Sequence, residues 1–261
     1  MGEDRDRETV QAVLRAVDLL DIISREQLIG ISELARKSSL KKTTVARLLG
    51  TLKQAGMVEQ DSESQRFQLT IRVFEMGSRV LENLDIRRRA QPVIEDFVRR
   101  QGRSALLGVL NHTEVVYIGK FEAAELFRII TSVGSRTPAY CSASGKAVLA
   151  FIDQDRRRQI LRETAFKAYT TSTITDPDAL EADVAATRQR GYSLDWGEHF
   201  PDLCSVAAPI FDSKGEAVAA ISVPRMVATV SEAELAVLGR ELVQLADTIS
   251  RKIGWQGKTK Y

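Results

Sequence analysis

The chain has 261 residues, 28% of them charged and 44% hydrophobic, and its formal net charge is only +2. That composition excludes a disordered chain and a polycation, leaves room for two domains with a sizeable core, and confines any nucleic-acid surface to a local patch. Two cysteines, Cys141 and Cys204, make no disulfide framework, no apolar run approaches the ~18 residues of a membrane span, and Met1–Glu8 lacks the apolar region of a signal peptide, so the expected location is the cytoplasm, with no membrane partner.

A wide apolar stripe (Val10, Val13, Leu14, Val17, Leu19, Leu20, Ile22, Ile23) predicts a first helix over Val10–Ile23. A second follows over Ile31–Arg36, with Ser32 as its expected N-cap, and Ser38-Ser39-Leu40 is a short break. The third helix organises the region. Its residues Val45, Leu48, Leu49 and Leu52 fall at i, i+3, i+4 and i+7, one face of a helix. Thr43, Arg47, Gly50 and Gln54 lie opposite, with Thr44 and Thr51 on the flank. This outer face is small, hydrogen-bonding and basic, whereas a face kept for solubility mixes Glu with Lys. Gly56 is placed to end the helix, and alternation over Met57–Gln60 and Arg66–Leu69 around Asp61-Ser62-Glu63-Ser64 predicts a hairpin. Three helices and a hairpin make a winged helix-turn-helix, expected over residues 1–70. From Ser32 to Val58 six cations face one anion, Glu33, a local charge of +5. Order and charge together point to double-stranded DNA rather than to an ordinary solvated bundle. Lys41 and Lys42 are expected on phosphates, and Thr43, Thr44, Arg47 and Thr51 along the groove, with Thr43 and Arg47 best placed for base edges.

Residues 71–89 read as a connecting helix. Ile71, Phe74, Leu81 and Leu84 mark one side, and Val73, Met76 and Val80 an adjacent one. The helix either packs on its own domain or also meets a second subunit. Repeated half-sites on DNA favour the second, hence a homodimer or homotetramer. Arg87-Arg88-Arg89 reads as a solvated turn rather than a phosphate contact.

From residue 90 to 261 the pattern mixes helices and strands. A helix is expected from Pro92, strands over Ala105–Leu110, Val115–Gly119 and Leu126–Ile130, and helices over Ser144–Phe151 and Asp155–Arg162. Asp176-Pro177 opens a helix that runs to Arg190 before Gly191, and Val206–Phe211 pairs with Ala217–Val223. Ser231-Glu232-Ala233-Glu234 is a capping box for the last helix, Glu234–Lys252. Locally paired strands with segregated helices predict an antiparallel sheet of the α+β class.

Several segments resemble the IclR family of bacterial transcriptional regulators. At the N-terminal end they are Arg15-Ala16, Ser32–Ala35, Thr43–Leu52 and Phe67-Gln68-Leu69. At the C-terminal end they are Gly134–Ala150, Gly191-Tyr192, Asp195, Glu198, Ala207–Asp212, Gly215 and Ala219–Val223. The resemblance covers nearly the whole chain. It departs in the wing, where Ser64-Gln65 and Thr70 stand in place of common glycines, and at Ser205 and Pro224, where many relatives have Cys and a small polar residue. The family implies an N-terminal module that binds operator DNA and a GAF-like or profilin-like effector-binding domain for a small organic acid or aromatic compound. Carried over position by position, its pocket falls on Leu126, Ile129, Ala143, Ser144, Asp195, Leu203, Ser205 and Ser222. A physical reason supports an anion there: Ser142-Ala143-Ser144-Gly145 precedes a helix, whose free N–H groups suit a carboxylate.

Other chemistry is set aside. Gly145-Lys146 is no P-loop, because Tyr140 replaces its first glycine and Ala147 its Ser/Thr. His112, His199, Cys141 and Cys204 contain no close-spaced pair for a metal, and Cys204 with His199 lacks a third orienting group. Trp196 and Phe200, beside Asp195, either line the pocket or pack the core, and packing is the favoured reading. No cofactor, metal site or catalytic residue is expected. The chain reads as a ligand-responsive transcriptional regulator, repressor or activator, not an enzyme. A GAF-like enzyme and an architectural DNA-binding dimer without a ligand are the alternatives.

Overall fold

The computed structural model describes residues 10–26, 28–124 and 131–259, the side chain of Asn83 excepted. The chain divides into two compact units, residues 1–81 and 82–261.

In the first unit, α1 (Gln11–Ser24), α2 (Ile31–Ser38) and α3 (Lys42–Gln54) precede a hairpin of β1 (Val58–Gln60) and β2 (Phe67–Leu69). Val45, Leu48, Leu49 and Leu52 are all buried, together with Leu19, Ile23, Ile29, Leu34, Val58 and Phe67. The apolar face of α3 therefore forms the floor of this small core. Ile29 exchanges backbone hydrogen bonds with Phe67, at 3.0 and 2.8 Å, which ties the turn before α2 to the wing. The wing tip contains Gln65 at φ +56°, a left-handed conformation that glycine adopts more readily.

Three local expectations are corrected. The N-cap of α2 is Gly30, without a side-chain cap, so Ser32 lies inside the first turn. The connector is two helices, α4 (Ile71–Asn83) and α5 (Asp85–Gln101), separated at the extended residue Leu84. Pro92 sits in the middle of α5 rather than at its start. A mid-helix proline forfeits one backbone hydrogen bond and crowds the carbonyl four residues back; burial of Ala90, Ile94, Phe97 and Val98 holds the helix together around it.

In the second unit, a six-stranded antiparallel sheet has the order β5-β4-β3-β8-β7-β6. The strands are β3 (Ala105–Asn111), β4 (Glu114–Phe121), β5 (Arg136–Pro138), β6 (Ser193–Trp196), β7 (Leu203–Phe211) and β8 (Ala217–Met226). The short strands β5 and β6 were not anticipated, and the strand expected over Leu126–Ile130 lies outside the described residues. β7 and β8 are buried almost end to end, as strands covered on both faces are. α5 packs with α9 (Glu232–Lys252) on the sheet; α6 (Ala143–Ala150), α7 (Gln154–Glu163) and α8 (Pro177–Arg190) form the other helical group. The expected caps of α8 and α9 are present: Asp176 accepts from Asp178 and Ala179, and Ser231 and Glu234 close a capping box. Among the described residues no helix is long and apolar enough to cross a membrane.

Candidate functional site

Two features of the structure coincide with the expected sites. The first is the outer face of α3. Lys41, Lys42, Thr43, Arg47 and Thr51 are exposed and Thr44 is half-buried. Of the six cations counted in this region, Arg36 and Lys37 are engaged with Glu33, and Lys37 also with Glu26. The four on α3 and at its start, Lys41, Lys42, Arg47 and Lys53, form no ion pair with a described residue. Lys41 is the N-cap of α3 and offers no side-chain oxygen to the first N–H groups, and the first turn contains no acid. Cations at the positive end of a helix dipole are each unfavourable by about 0.3–1 kcal/mol. An anion placed there reverses the sign, and a phosphate would be met by free N–H groups and two ammonium groups together.

The wing is different. Asp61 accepts hydrogen bonds from the backbone and hydroxyl of Ser64, at 2.7 and 2.6 Å, which hold its carboxyl below the usual range. With Glu63 beside it, the wing tip is acidic.

The second feature is a cavity of about 670 Å³ in the second unit. Ala143, Ser144, Asp195, Leu203, Ser205 and Ser222 all line it. Leu126 and Ile129 lie outside the described residues. Strand register explains the gathering. Asp195 on β6 pairs with Ser205 on β7, which pairs with Pro224 on β8. The next row on the same face is Ala207 and Ser222, then Leu106 on β3. Cys204, between the lining residues Leu203 and Ser205, faces the opposite side of β7. It cannot form the Cys–His pair weighed from the sequence with His199, which lines the cavity.

The N-terminus of α6 closes one side. Ser142 is a true N-cap, accepting from Gly145 N at 3.2 Å. Ser144 Oγ donates to Ser222 Oγ at 2.9 Å, and Ser193 Oγ donates to the Ala143 carbonyl at 2.5 Å, so the helix start is tied to β8 and β6. Gly145 permits this placement: a Cβ there would lie 2.2 Å from the Ala139 carbonyl oxygen. The N–H groups of Ala143 and Ser144 belong to the first turn and have no acceptor within the helix.

Sequence reasoning missed Tyr117, Arg136, Thr137 and His199 as wall residues. Burial raises the Tyr117 phenol, while hydrogen bonds with Thr137 and Ser144 pull it the other way. Arg136 is half-exposed at the mouth and pairs with Glu114 at 3.2 Å. Phe200 lines the cavity and is exposed, the pocket reading rather than the favoured core packing; Trp196 does not line the cavity. His199 stacks edge-on between Tyr169 and Phe200, and burial lowers its pKa.

Asp195 is 93% buried and accepts from Glu198 N at 2.8 Å through Oδ1. Burial, and then the nearby charge of Glu198, raise its carboxyl to about 7. Glu198 in turn holds Lys146 Nζ at 2.5 Å, and Asp183 lies 2.9 Å from the same ammonium, which is 1% exposed. Burial opposes the charge on Lys146, but the two carboxylates outweigh it and its pKa is raised. The loop carrying Glu198 is pinned by Thr170 on the Gly197 carbonyl and Thr173 on the Glu198 carbonyl, both at 2.6 Å. Burial raises the Cys141 thiol to about 12 and the Cys204 thiol to about 11, which makes poor nucleophiles of both. Among the described residues no cluster of three or more His, Cys, Asp or Glu could hold a metal.

A winged helix-turn-helix with an unpaired basic α3, followed in the same chain by an antiparallel α+β unit around a mostly apolar cavity with a few polar groups, defines a class of transcriptional regulators. The IclR helix-turn-helix domain model matches residues 12–62, and that of the bacterial transcriptional regulator IclR C-terminal domain matches residues 78–251. The chain belongs to the IclR family of transcriptional regulators, whose named members are regulators and not enzymes. It is 34% identical to the HTH-type transcriptional regulator KdgR of Escherichia coli over 253 residues, which cover 97% of this chain and 95% of that protein. The crystal structure of an IclR transcriptional regulator from Alicyclobacillus acidocaldarius matches with a TM-score of 0.80 at 28% identity, covering 94% of this chain and 100% of that one. An IclR homologue from Microbacterium hydrocarbonoxydans, solved in complex with 4-hydroxybenzoate, shares the fold with a TM-score of 0.78 at 24% identity, covering 93% and 99%.

Proposed function

We propose that this protein is a ligand-responsive regulator that holds operator DNA with α3 and senses a small carboxylate in the cavity of its second unit. The observation that carries the DNA half is the uncompensated charge of Lys41, Lys42 and Arg47 on a helix start with no acid. Lys41 and Lys42 set affinity through phosphates; Thr43, Thr44, Arg47 and Thr51 face the groove, and Thr43 and Arg47 read base edges. The acidic wing tip is kept off the backbone. The cavity supports the sensing half. Its wall contains eight Ser or Thr residues and Asp195, unlike the filled apolar interior expected of an architectural protein that has lost its ligand. The 4-hydroxybenzoate complex of the Microbacterium homologue makes aromatic acids reasonable first candidates.

The working form is a homo-oligomer in the cytoplasm. Val10 at the N-cap of α1 with Val13, Leu14 and Val17 on it, and Ile71, Phe74, Met76 and Val80 on α4, are each 48–71% exposed. An apolar face of that extent is covered in solution, and a second copy of the chain suits paired half-sites on DNA. Ligand binding acts by preferring one arrangement of two DNA modules over the other.

Fluorescence anisotropy with DNA from upstream of the protein's own gene tests this reading. Binding that resists competitor DNA, weakens steeply with salt and shifts with one organic acid is the expected result. Specific binding indifferent to every acid refutes the sensing half; binding no tighter than to random DNA at any promoter tried refutes the other.

A further inference from the structure

The geometry of Asp195 carries the cavity's chemistry one step further. Its Oδ1 is occupied by the Glu198 N–H, whereas Oδ2 has no hydrogen-bond partner among the described residues, in a side chain that lines the cavity and is 93% buried. Across the same space stands the N-terminus of α6, with the first-turn N–H groups of Ala143 and Ser144. A ligand carboxylate received by those N–H groups therefore shares the cavity with a second, buried carboxyl group.

Among the described residues, an ionised Asp195 would have no free countercharge. On the loop after β6, Glu198 adds a like charge, and burial lowers the His199 pKa, which disfavours a cation there. On α6, Lys146 is already held between Glu198 and Asp183. β4 presents the neutral phenol of Tyr117, and the two thiols nearby, Cys141 before α6 and Cys204 on the far side of β7, do not line the cavity; burial raises all three. From β5 comes Arg136, paired with Glu114, and Asp202 at the mouth adds another anion. β8 faces the cavity with Ser222, Pro224 and Met226, none of them titratable.

We propose that the cavity binds its carboxylate effector together with one proton, which Asp195 carries on Oδ2 and donates in a hydrogen bond to the ligand. Two carboxyl groups at hydrogen-bond distance, one of them as buried as Asp195, strongly disfavour double ionisation, and one shared proton turns their repulsion into a short, charge-assisted bond. Without a ligand, burial and Glu198 place the Asp195 carboxyl at about 7, so the proton is already in place in mildly acid solution and is taken up with the ligand in alkaline solution. The cavity thereby reads the ligand and the ambient pH jointly. This inference rests on the carboxylate reading proposed above.

The test is isothermal titration of the full chain with 4-hydroxybenzoate, 2-oxobutanoate and gluconate between pH 5.5 and 8.5. Each pH is run in two buffers of different ionisation enthalpy, which gives the protons taken up. The expected result is uptake rising from near zero at pH 5.5 towards one at pH 8.5, with affinity falling tenfold per pH unit above about 7. Asp195→Asn, a neutral donor of the same shape, is expected to bind with no pH dependence, and at pH 8.5 more tightly than the unaltered protein. Ligand binding with no proton uptake across the range overturns the proposal. So does loss of binding at pH 6 in an Asp195→Asn protein that melts normally, because it would make Asp195 an acceptor for a ligand hydroxyl. If the variant fails to fold, proton uptake by the unaltered protein decides alone. Binding of none of the three acids at any pH overturns the carboxylate reading itself, and with it this one.

Discussion

Replacing Lys146 by methionine removes the one ammonium group between Glu198 and Asp183 while keeping most of its volume. The side chain is 1% exposed, so water cannot replace the lost cation. Breaking a buried ion pair from one side costs about 3–5 kcal/mol, far above the ~0–1 kcal/mol of a surface pair. For a unit of this size each kcal/mol moves the melting temperature by about 2–4 °C, so a drop on the order of 10 °C is expected near neutral pH. The pH dependence has a definite sign. Glu198 already has a raised pKa, first through burial, and one of its oxygens is buried without a partner. Without Lys146 the carboxyl rises further, and stability is lost as pH climbs through the folded-state value. The variant should therefore lie closest to the unaltered protein near pH 5 and furthest from it near pH 8. Adding Glu198→Gln and Asp183→Asn should restore most of the loss, because no carboxylate of the cluster is then left without its cation, and the part-exposed Arg190 gives up only a 3.5 Å contact with Asp183. Calorimetry across pH 5–8 measures all three proteins. A loss below about 1 kcal/mol at pH 8, the value of an exposed pair, would refute the reasoning; so would a triple variant no more stable than the single one.

Lys41→Ala and Lys42→Ala should each weaken DNA binding similarly on all sequences and lower the slope of log affinity against log salt by about 1, whereas Arg47→Ala should cost about 1–3 kcal/mol and relax preference at one base position; anisotropy against single-base operator variants separates the two. Gly145→Ala should destabilise the second unit by about 1–3 kcal/mol or more and weaken ligand binding, since the new Cβ meets backbone at 2.2 Å. Gly77→Ala in α4, where nothing lies within 4 Å of the new Cβ, is the control and should gain about 0.5–1 kcal/mol in thermal or chemical denaturation. Val13→Glu with Phe74→Glu should shift the protein towards monomer in sedimentation and reduce affinity for a two-half-site operator far more than for a single half-site.

What could be read from sequence was whatever repeats along one element. The period of Val45, Leu48, Leu49 and Leu52 placed α3 and its outer face to the residue, because a helix converts spacing directly into direction. The caps at Asp176 and Ser231 were equally local. Errors arose where tertiary context outweighed local preference. Ser32 has the chemistry of an N-cap, but the bridge between Ile29 and Phe67 fixes the chain so that α2 starts after Gly30. Pro92 favours a helix start, but the packed face of α5 carries the helix through it. α1 carries a wide apolar stripe of which the first unit buries Leu19 and Ile23 and leaves Val10 to Val17 outside. The cavity was foreseen through resemblance and not through periodicity, since its wall is assembled from all six strands of the sheet and the start of α6. Arg136 and Tyr117 carried no separable signal, because nothing in the local pattern shows which face of β5 or β4 turns towards α6.

The sheet is two antiparallel halves joined along a single seam. β4 and β3 form one hairpin and β7 and β8 another; across the seam β3 meets β8 in three register pairs, Leu106 with Ser222, Leu107 with Ile221 and Gly108 with Ala220. Those partners are more than a hundred residues apart in the chain. On the ribosome the first hairpin must therefore wait, with the inner edge of β3 unpaired, until nearly the whole second half has been synthesised. Long-range closure of this kind is slow, and an open strand edge is a site for pairing with another nascent chain. Ser222 lies on the seam and in the cavity wall at once. A small molecule bound there favours the joined sheet over the parted one. Under the proposed effector reading, the supply of ligand during synthesis would bear on how much regulator matures, as well as on how the mature regulator behaves.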